Sequence, residues 1–211
     1  MKTDKQEQGL AKKCNDGEKE TMGDLCPEGA GQSGCDNMEE EAETNTSFTL
    51  EVTGTRKVCA AGEVFGRTCQ KDKKIPVFSC EGGCIKGEIA RLVTNLVAKE
   101  DAYARACHGE LFSAPHSDLA KWVKESERVV VIDGCAIRCH GRIAENLIDK
   151  DRLVNINALS IHGKYANLMD VDDVPEEERK RTAREVANKV LAALEGGASY
   201  DSKLGLSCVA A

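Results

Sequence analysis

The sequence predicts an α/β fold: a three-layer, doubly wound (Rossmann-like) and mostly parallel sheet with helices on both faces. The run RVVVID, residues 128–133, is an uninterrupted β-branched stretch, which is typical of a central parallel strand covered on both faces. The runs KIPVFS (74–79) and DRLVNINAL (151–159) predict two further strands. Segments with helical spacing of apolar residues follow these strands, and such alternation favours a parallel sheet wrapped by helices.

Two helices are expected between the first and second of these strands. The first follows KIPVFS and has apolar residues at helical spacing: Ile85, Ile89, Leu92, Val93, Leu96 and Val97. Ser117 is a residue type that commonly caps a helix, and it is placed to cap a short second helix that runs through Leu119 and Trp122.

Two more helices are expected after RVVVID. One follows that strand directly, with one side formed by Ile143, Leu147 and Ile148. The last helix opens at Pro175 and the acidic residues 176–178, and its inward side is predicted to hold Ala183, Val186, Val190 and Leu194. Gly196 and Gly197 end it, since glycine is the usual residue past a helix C-terminus.

Charge and apolar content divide the chain into segments. Residues 1–50 hold five lysines and twelve acidic residues, which gives 5 − 12 = −7, and they contain no Ile, Val, Trp or Tyr, so they predict a disordered acidic arm. Residues 51–73 form an ambiguous connection, and SFTLEVTG (47–54) could form an edge strand. We expect an α/β domain to cover residues 74–197 and a C-terminal tail to cover 198–211.

Composition narrows the classes of protein. The formal net charge of −7 argues against a general binder of nucleic acid or of membrane surfaces, so neither is expected as a partner. The chain has 11 cysteines, and its first residues include no apolar signal segment. We therefore expect a cytoplasmic protein with reduced thiols, in which clustered cysteines indicate metal binding or redox chemistry more often than disulfides.

Two stretches share a strand–Cys-x-x-x-Cys–helix pattern. In PVFSCEGGC the cysteines are Cys80 and Cys84, and in VVVIDGCAIRC they are Cys135 and Cys139. Ligands of an open parallel sheet bind at the carboxyl ends of its strands, where both pairs should emerge. If the two strands are neighbours, four thiols converge there, a set suited to Zn²⁺.

Helix and turn geometry shapes what these thiols are expected to do. We expect Cys135 in the first turn of its helix, where the positive end of the helix dipole would stabilise a thiolate, with Cys139 on the same face. Gly82, Gly83 and Gly134 are expected to let the backbone turn sharply near a bound ion.

Further candidates surround the two pairs. Cys107, in ARACHGE, is a fifth potential ligand, and His108 and His140 each follow a cysteine, so at most one member of each Cys–His pair is expected to bind the ion. Asp133 could be a ligand, but a helix cap or a partner of the ligands is the favoured role. Cys208 is interpreted as a small apolar residue, which is also one possible role of Cys59 and Cys69. Cys14, Cys26 and Cys35 are interpreted as solvated thiols of the arm, and His162 as a histidine of a surface loop.

These motifs resemble the DGC domain family, which is named for its Asp-Gly-Cys motif. The resemblance covers roughly residues 74–195 and rests on FSCEGGCIKGEIA, ARACHG and VVVIDGCAIRC. It implies a bound zinc ion, with four ligands at the matched positions Cys80, Cys107, Cys135 and Cys139. Cys84 adds a thiol that many members lack, and Ala136 stands where a proline is often found.

The residues leave the use of the site open. Four thiolates would close a tetrahedral zinc site and indicate a structural or metal-handling role, whereas three would leave a position for chemistry, so enzyme activity is undecided. An iron–sulfur cluster is an alternative cofactor, although the spacing differs from that of ferredoxins. A thiol-dependent redox or sulfur-transfer enzyme, with Cys135 or Cys139 as the nucleophile, is a further alternative. No protein partner or substrate is indicated.

Overall fold

The computed structural model describes residues 47–196 and 206–207. They belong to the second of the two units, Met1–Asn45 and Thr46–Ala211, into which the chain divides. Most of the predicted acidic arm, with Cys14, Cys26 and Cys35, lies outside the described residues, as does Cys208. Within the part described, no helix has the length and apolar character required to cross a membrane.

Helices and strands alternate along the described chain. The strands are β1 Ile75–Ser79, β2 Tyr103–Arg105, β3 Val129–Asp133, β4 Leu153–Asn157 and the two-residue β5 Leu206–Ser207. The helices are α1 Ala60–Lys71, α2 Ile85–Val97, α3 His108–Ser113, α4 Asp118–Glu125, α5 Cys139–Ala144, α6 Ala158–His162 and α7 Glu176–Glu195, with a 3₁₀ turn at Lys150–Arg152.

The sheet has the strand order β2-β1-β3-β4-β5. Strands β1 to β4 are parallel, and β5 pairs antiparallel with β4 at the edge. The chain leaves β1 in one direction to form β2 and returns past β1 to form β3, so the winding reverses between β1 and β3. Helices cover both faces, which confirms the predicted doubly wound α/β class, and a crevice is expected at this switch point.

Each face of the sheet has its own apolar core. Val77, Val130, Ile132 and Ile156 of the strands pack on one face under α2 and α7. On the other face, α4 contributes Trp122 and α3 contributes Leu111 to a second core, which receives the alternate strand residues Phe78, Val129, Val131 and Leu153. Because every residue of β3 is buried, its sequence is apolar without alternation until the terminal Asp133. Burial of each large side chain contributes about 1.5–3 kcal/mol.

The predicted helices α2, α4 and α7 are confirmed. Ser117 caps α4 by accepting a hydrogen bond from Ala120 N over 3.1 Å. In α7, Ala183, Val186, Val190 and Leu194 are buried as expected, and the helix ends at Glu195, just before Gly196.

The segment before β1 differs from the expectation. Residues 47–58 form no strand, so SFTLEVTG does not form the expected edge strand, and α1 occupies residues left ambiguous by the sequence. The buried side of α1 consists of Gly62, Gly66 and Cys69. A Cβ on Gly66 would lie 2.5 Å from Leu119 N. The backbone of α1 therefore packs directly against the backbone of α4 at this glycine. Small residues produce no apolar periodicity, which is why the pattern of large residues missed this helix.

The helix after β3 is shorter than predicted. α5 ends at Ala144, and the inward side is formed by Ala144 and Ile148. Only Ile143 of the three predicted residues lies in α5, so the prediction that one helix presents Ile143, Leu147 and Ile148 on one side is wrong. Ile143 and Leu147 remain 44% and 37% exposed, whereas Ile148 is buried. The helix stops after six residues, so it is too short to place Leu147 and Ile148 on the same side as Ile143.

Candidate metal centre

Three neighbouring strands end in cysteines at the same edge of the sheet. Cys80 follows β1 directly, Cys135 comes two residues after β3, and Cys107 comes two residues after β2. β1 lies between β2 and β3, with Ser79 in register with Ile132. Because these strands are parallel, their carboxyl ends meet at one edge, and Cys80 and Cys135 flank the switch point between β1 and β3.

Cys80 contacts the Asp-Gly-Cys segment directly. Its Sγ is buried, with the residue 8% exposed, and it accepts a hydrogen bond from Gly134 N over 3.0 Å. Gly134 also lies against the first turn of α2, since a Cβ there would be 2.6 Å from the carbonyl carbon and oxygen of Lys86. The glycine is therefore required for close approach of two backbone segments.

The glycines near the cysteines do not use the left-handed conformation. Gly82 and Gly83 have no atom within 4 Å of an added Cβ, and among the described glycines only Gly163 has a positive φ. The chain bends at Gly83 and at Gly134 without a positive φ. Cys84 follows as the N-cap of α2, where it is partly exposed and its side chain makes no capping hydrogen bond.

Cys135 and Cys139 do not share a helix. Cys135 lies in the connection after β3, and Cys139 is the first residue of α5. A turn at residues 136–137 and the left-handed conformation of Arg138, with φ of 53°, separate them. Arg138 forms an ion pair with Glu145. The prediction that Cys135 lies in the first helical turn, with Cys139 on the same face, is therefore wrong.

Asp133 supports the start of α5 from beneath. Its side chain accepts hydrogen bonds from His140 N over 3.1 Å and from Gly141 N over 2.9 Å, and the residue is 1% exposed. These are backbone donors that a helix N-terminus leaves without intrahelical partners. Of the roles weighed for Asp133, the structure shows helix capping.

Cys107 approaches the Cys139 segment through the histidines that follow them. Cys107 is the exposed N-cap of α3, next to His108. The imidazole rings of His108 and His140 lie 4.5 Å apart between centroids at an interplanar angle of 80°. Since His140 follows Cys139, this contact joins the carboxyl ends of β2 and β3 across the end of β1.

Burial at this edge favours protonated thiols. Burial is the main cause that raises the pKa of Cys80 to about 11; the charges of Asp133 and Cys135 add to the rise, and the hydrogen bond from Gly134 N opposes it. Burial and the same two charges raise the pKa of Cys139. A cation is needed to displace the protons of these two thiols. Burial also lowers the pKa values of His108 and His140.

The cysteines share an edge without a preassembled coordination shell. Across residues 47–196 and 206–207, no group of three or more His, Cys, Asp or Glu side chains is arranged to hold a metal ion. The seven cysteines in this part of the chain are free thiols. The assignment of Cys80, Cys84, Cys107, Cys135 and Cys139 as ligands therefore stays a prediction.

The cysteines and the histidine outside the proposed ligand set have structural contacts. Cys69 is buried against α4, which fits the role of a small apolar residue that the sequence left open for it. Cys59 is exposed, and its Sγ accepts a hydrogen bond from Gly62 N over 3.4 Å as the N-cap of α1. His162 ends α6 and is partly buried, with Nδ1 accepting from Lys164 N over 3.0 Å, so it is not in a surface loop.

An arginine at this edge was not identified from the sequence. Arg105, the last residue of β2, pairs with Glu81 over 2.7 Å and donates to Ser79 Oγ over 3.2 Å. Burial lowers the pKa of this guanidinium, and the charges of Glu81 and Cys107 oppose the effect. This contact depends on the pairing of β1 with β2, and no local sequence pattern predicts it.

The motifs and their placement agree with one known family. The DGC domain family matches residues 76–186, which is more than half of the 211 residues. No curated protein and no solved structure matches the chain. The matched region begins in β1 and ends in α7, and it includes all five candidate cysteines. The chain therefore belongs to the DGC domain family.

Proposed function

We propose that this chain binds one zinc ion through cysteine thiolates at the carboxyl edge of its sheet and that it serves in metal handling. The proposed ligands are Cys80, Cys107, Cys135 and Cys139. Cys84 is the thiol that could replace one of them. A purely structural role, in which the ion holds the fold together, is the less favoured alternative for the same site.

One observation carries the proposal: the segments that hold the four cysteines contact each other at the switch point. The bond from Gly134 N to Cys80 Sγ connects the end of β1 to the segment of Cys135. The contact between His108 and His140 connects the segments of Cys107 and Cys139. The described residues hold no ready-made group of ligands, so the proposal requires the four side chains to rearrange when the ion binds.

The donor type and its surroundings suit zinc. An all-sulfur set is typical of closed tetrahedral zinc sites. Ligands of such sites usually have supporting hydrogen bonds, and Cys80 already accepts one from a backbone amide. Asp133, which is buried, holds the start of α5 and thereby the position of Cys139.

The location of the site favours metal handling over structural stapling. Both apolar cores are built from helices and strands and do not depend on the cysteine edge, apart from Cys80. A domain of this size can fold without an ion, unlike a zinc finger. Because Cys80 and Cys139 favour the protonated state, zinc entry must release protons, so zinc affinity is expected to fall as pH decreases.

The alternatives predict different observations. A thiol enzyme needs a nucleophile with a lowered pKa, whereas the pKa of Cys139 is raised. An iron–sulfur cluster would colour the anaerobically purified protein, while zinc would leave it colourless. The proposal takes the protein to be cytoplasmic, where reduced thiols are available to zinc.

The test is the metal content of anaerobically purified full-length protein. Wild-type protein is expected to contain zinc, and Cys80→Ser and Cys135→Ser are expected to lose it while keeping their far-UV circular dichroism. Cys59→Ser is the matched control, because Cys59 is an exposed helix cap that is not among the proposed ligands and serine is itself a good cap. Cys84→Ser should retain more zinc than Cys135→Ser.

Two results would contradict parts of the proposal. Full zinc content in Cys135→Ser would remove the Asp-Gly-Cys segment from the site. Unfolding of Cys135→Ser, with an intact Cys59→Ser control, would make the ion a structural staple and refute metal handling.

A further inference from the structure

The contact between His108 and His140 involves two metal-ligating side chains that the four-cysteine assignment leaves unused. His108 follows β2, and His140 lies in α5 after β3, so the rings meet across the end of the intervening β1. Phe112 lies beside both, with its ring centroid 5.9 Å from that of His108 and 6.1 Å from that of His140. The two imidazoles thus form a compact pair at the same edge as the cysteines.

One nitrogen of this pair lacks a partner. Nδ1 of His140 is shielded from solvent and makes no hydrogen bond to the described protein. A buried polar atom without a partner costs about 1–3 kcal/mol, and such atoms are rare in folded proteins. The backbone N of His140 donates a hydrogen bond to Asp133, so the backbone at this residue is held in place. The lack of a partner among the described residues therefore concerns Nδ1 of the ring and not the backbone.

Charges of both signs lie near the pair. Glu81 follows Cys80 at the end of β1 and forms an ion pair with Arg105 over 2.7 Å. The carboxylate of Asp133 accepts a hydrogen bond from the backbone N of His140. Four thiolates bound to one divalent ion would leave an excess of negative charge beside the pair, which a second cation would offset.

We propose that His108 and His140 bind a second divalent transition-metal ion of the zinc class, next to the ion held by the cysteines. This inference rests on the proposed function for the charge of the neighbouring thiolates. Imidazole nitrogen is a ligand suited to such ions. With two protein nitrogens, the remaining positions would be open to solvent or to a ligand that accompanies the metal, so the second ion would be the more exchangeable one.

The second position would provide a path by which zinc enters and leaves the cysteine site. Zinc bound by two imidazoles and solvent would dissociate faster than zinc enclosed by four thiolates, because fewer protein bonds must break. The pair lies beside Cys107 and Cys139, so an ion could move between nitrogen and sulfur ligands without leaving the edge of the sheet. Ions would enter and leave through the histidine position.

The test counts zinc ions bound to full-length protein. Reduced protein is brought to equilibrium by dialysis against buffers of fixed free Zn²⁺ concentration, and the zinc bound per chain is determined from the difference in zinc content between the protein side and the buffer side. The variants are His108→Gln, His140→Gln and the double substitution. His116→Gln is the control, because His116 is exposed and lies in the loop between α3 and α4.

Wild-type protein and the His116→Gln control are expected to bind one more zinc ion per chain than the double histidine variant. Cys80→Ser should lose the thiolate ion. Long-range ¹H–¹⁵N spectra give a second readout, in which the Nδ1 or Nε2 resonances of His108 and His140 should shift only as the later equivalent of zinc is added. This readout applies even if one substitution impairs folding.

Equal zinc content in the wild type and the double histidine variant, with unshifted imidazole resonances, would overturn the inference while leaving the four-cysteine site intact. Loss of all zinc on substitution of either histidine would also overturn it, because the histidines would then be ligands of a single ion. Absence of cysteine-dependent zinc in the wild type would instead refute the proposed function.

Discussion

Replacing Gly134 by alanine tests the packing on which the cysteine edge depends. A Cβ at this position would lie 2.6 Å from Lys86 C and O and 2.8 Å from Gly87 N. Ordinary contact begins near 3.4 Å, so the backbones of α2 and the Asp-Gly-Cys segment must separate by 3.4 − 2.6 = 0.8 Å. Both partners are backbone atoms, and neither can rotate away as a flexible side chain would.

The cost follows from two terms. Overpacking of a filled interior costs about 1–3 kcal/mol. The same shift would lengthen the 3.0 Å hydrogen bond from Gly134 N to Cys80 Sγ, and loss of a buried hydrogen bond costs about 1 kcal/mol. Gly134→Ala is therefore expected to lower the free energy of unfolding by about 2–4 kcal/mol.

The chain offers matched controls in the first cysteine motif. An added Cβ at Gly82 or Gly83 meets no atom within 4 Å, and neither has a positive φ, so Gly82→Ala and Gly83→Ala should change stability by less than about 0.5 kcal/mol. The assay is denaturant unfolding of reduced, metal-free protein, followed by the fluorescence of Trp122, the single tryptophan. A Gly134→Ala midpoint equal to that of the controls would refute the argument that close backbone approach requires this glycine.

Three further predictions concern other parts of the molecule. Asp133→Ala should cost about 2 kcal/mol of unfolding free energy, because Gly141 N and His140 N lose their buried acceptor. The control is Asp149→Ala, which removes an exposed ion pair with Arg152 and should cost less than about 0.5 kcal/mol in the same denaturation assay. Burial lowers the pKa of His162 to about 4, so the unfolded chain binds a proton more readily than the folded one. This residue should lower the unfolding free energy by about 1–2 kcal/mol, after allowance for solvent screening, as pH decreases from 6.5 towards 4. His162→Gln should make the pH dependence of unfolding shallower by that amount, and the part that remains is expected from His108 and His140, whose pKa values burial also lowers. Removal of residues 1–45 should leave the unfolding midpoint and the zinc content nearly unchanged, because this segment is poor in apolar residues; a large loss of zinc would assign Cys14, Cys26 or Cys35 to the site.

Local pattern in the chain was enough to predict the main elements. β1, β3 and β4 were identified because their residues are buried on both faces and therefore read as apolar runs. α2 and α7 were identified because each buries one stripe of large apolar residues at helical spacing. The cap at Ser117 was identified because capping involves residues only three positions apart.

Patterns of large apolar residues did not identify elements that pack through small ones or through distant contacts. α1 has Gly62, Gly66 and Cys69 on its buried side, so its helical period carries no hydrophobic signal. The position of Cys135 outside α5 depends on Asp133, which caps the helix from the preceding strand, and on the left-handed Arg138. Neither feature has a fixed sequence spacing, so the sequence does not distinguish this arrangement from one in which both cysteines lie on the same helix.

The sequence by itself determined that Cys80 and Cys135 follow apolar segments and that Cys107 lies between them in the chain, since that order is covalent. Tertiary structure alone decided that they meet. The strand order β2-β1-β3 arises from hydrogen bonding between segments distant in sequence, with Val77 in register with both Arg105 and Val130. That order brings the carboxyl ends of three strands together, lets Gly134 N reach Cys80 Sγ, and places His108 against His140 across the end of β1. Such long-range pairing is set by the burial of both sheet faces at once, which no local window of residues contains.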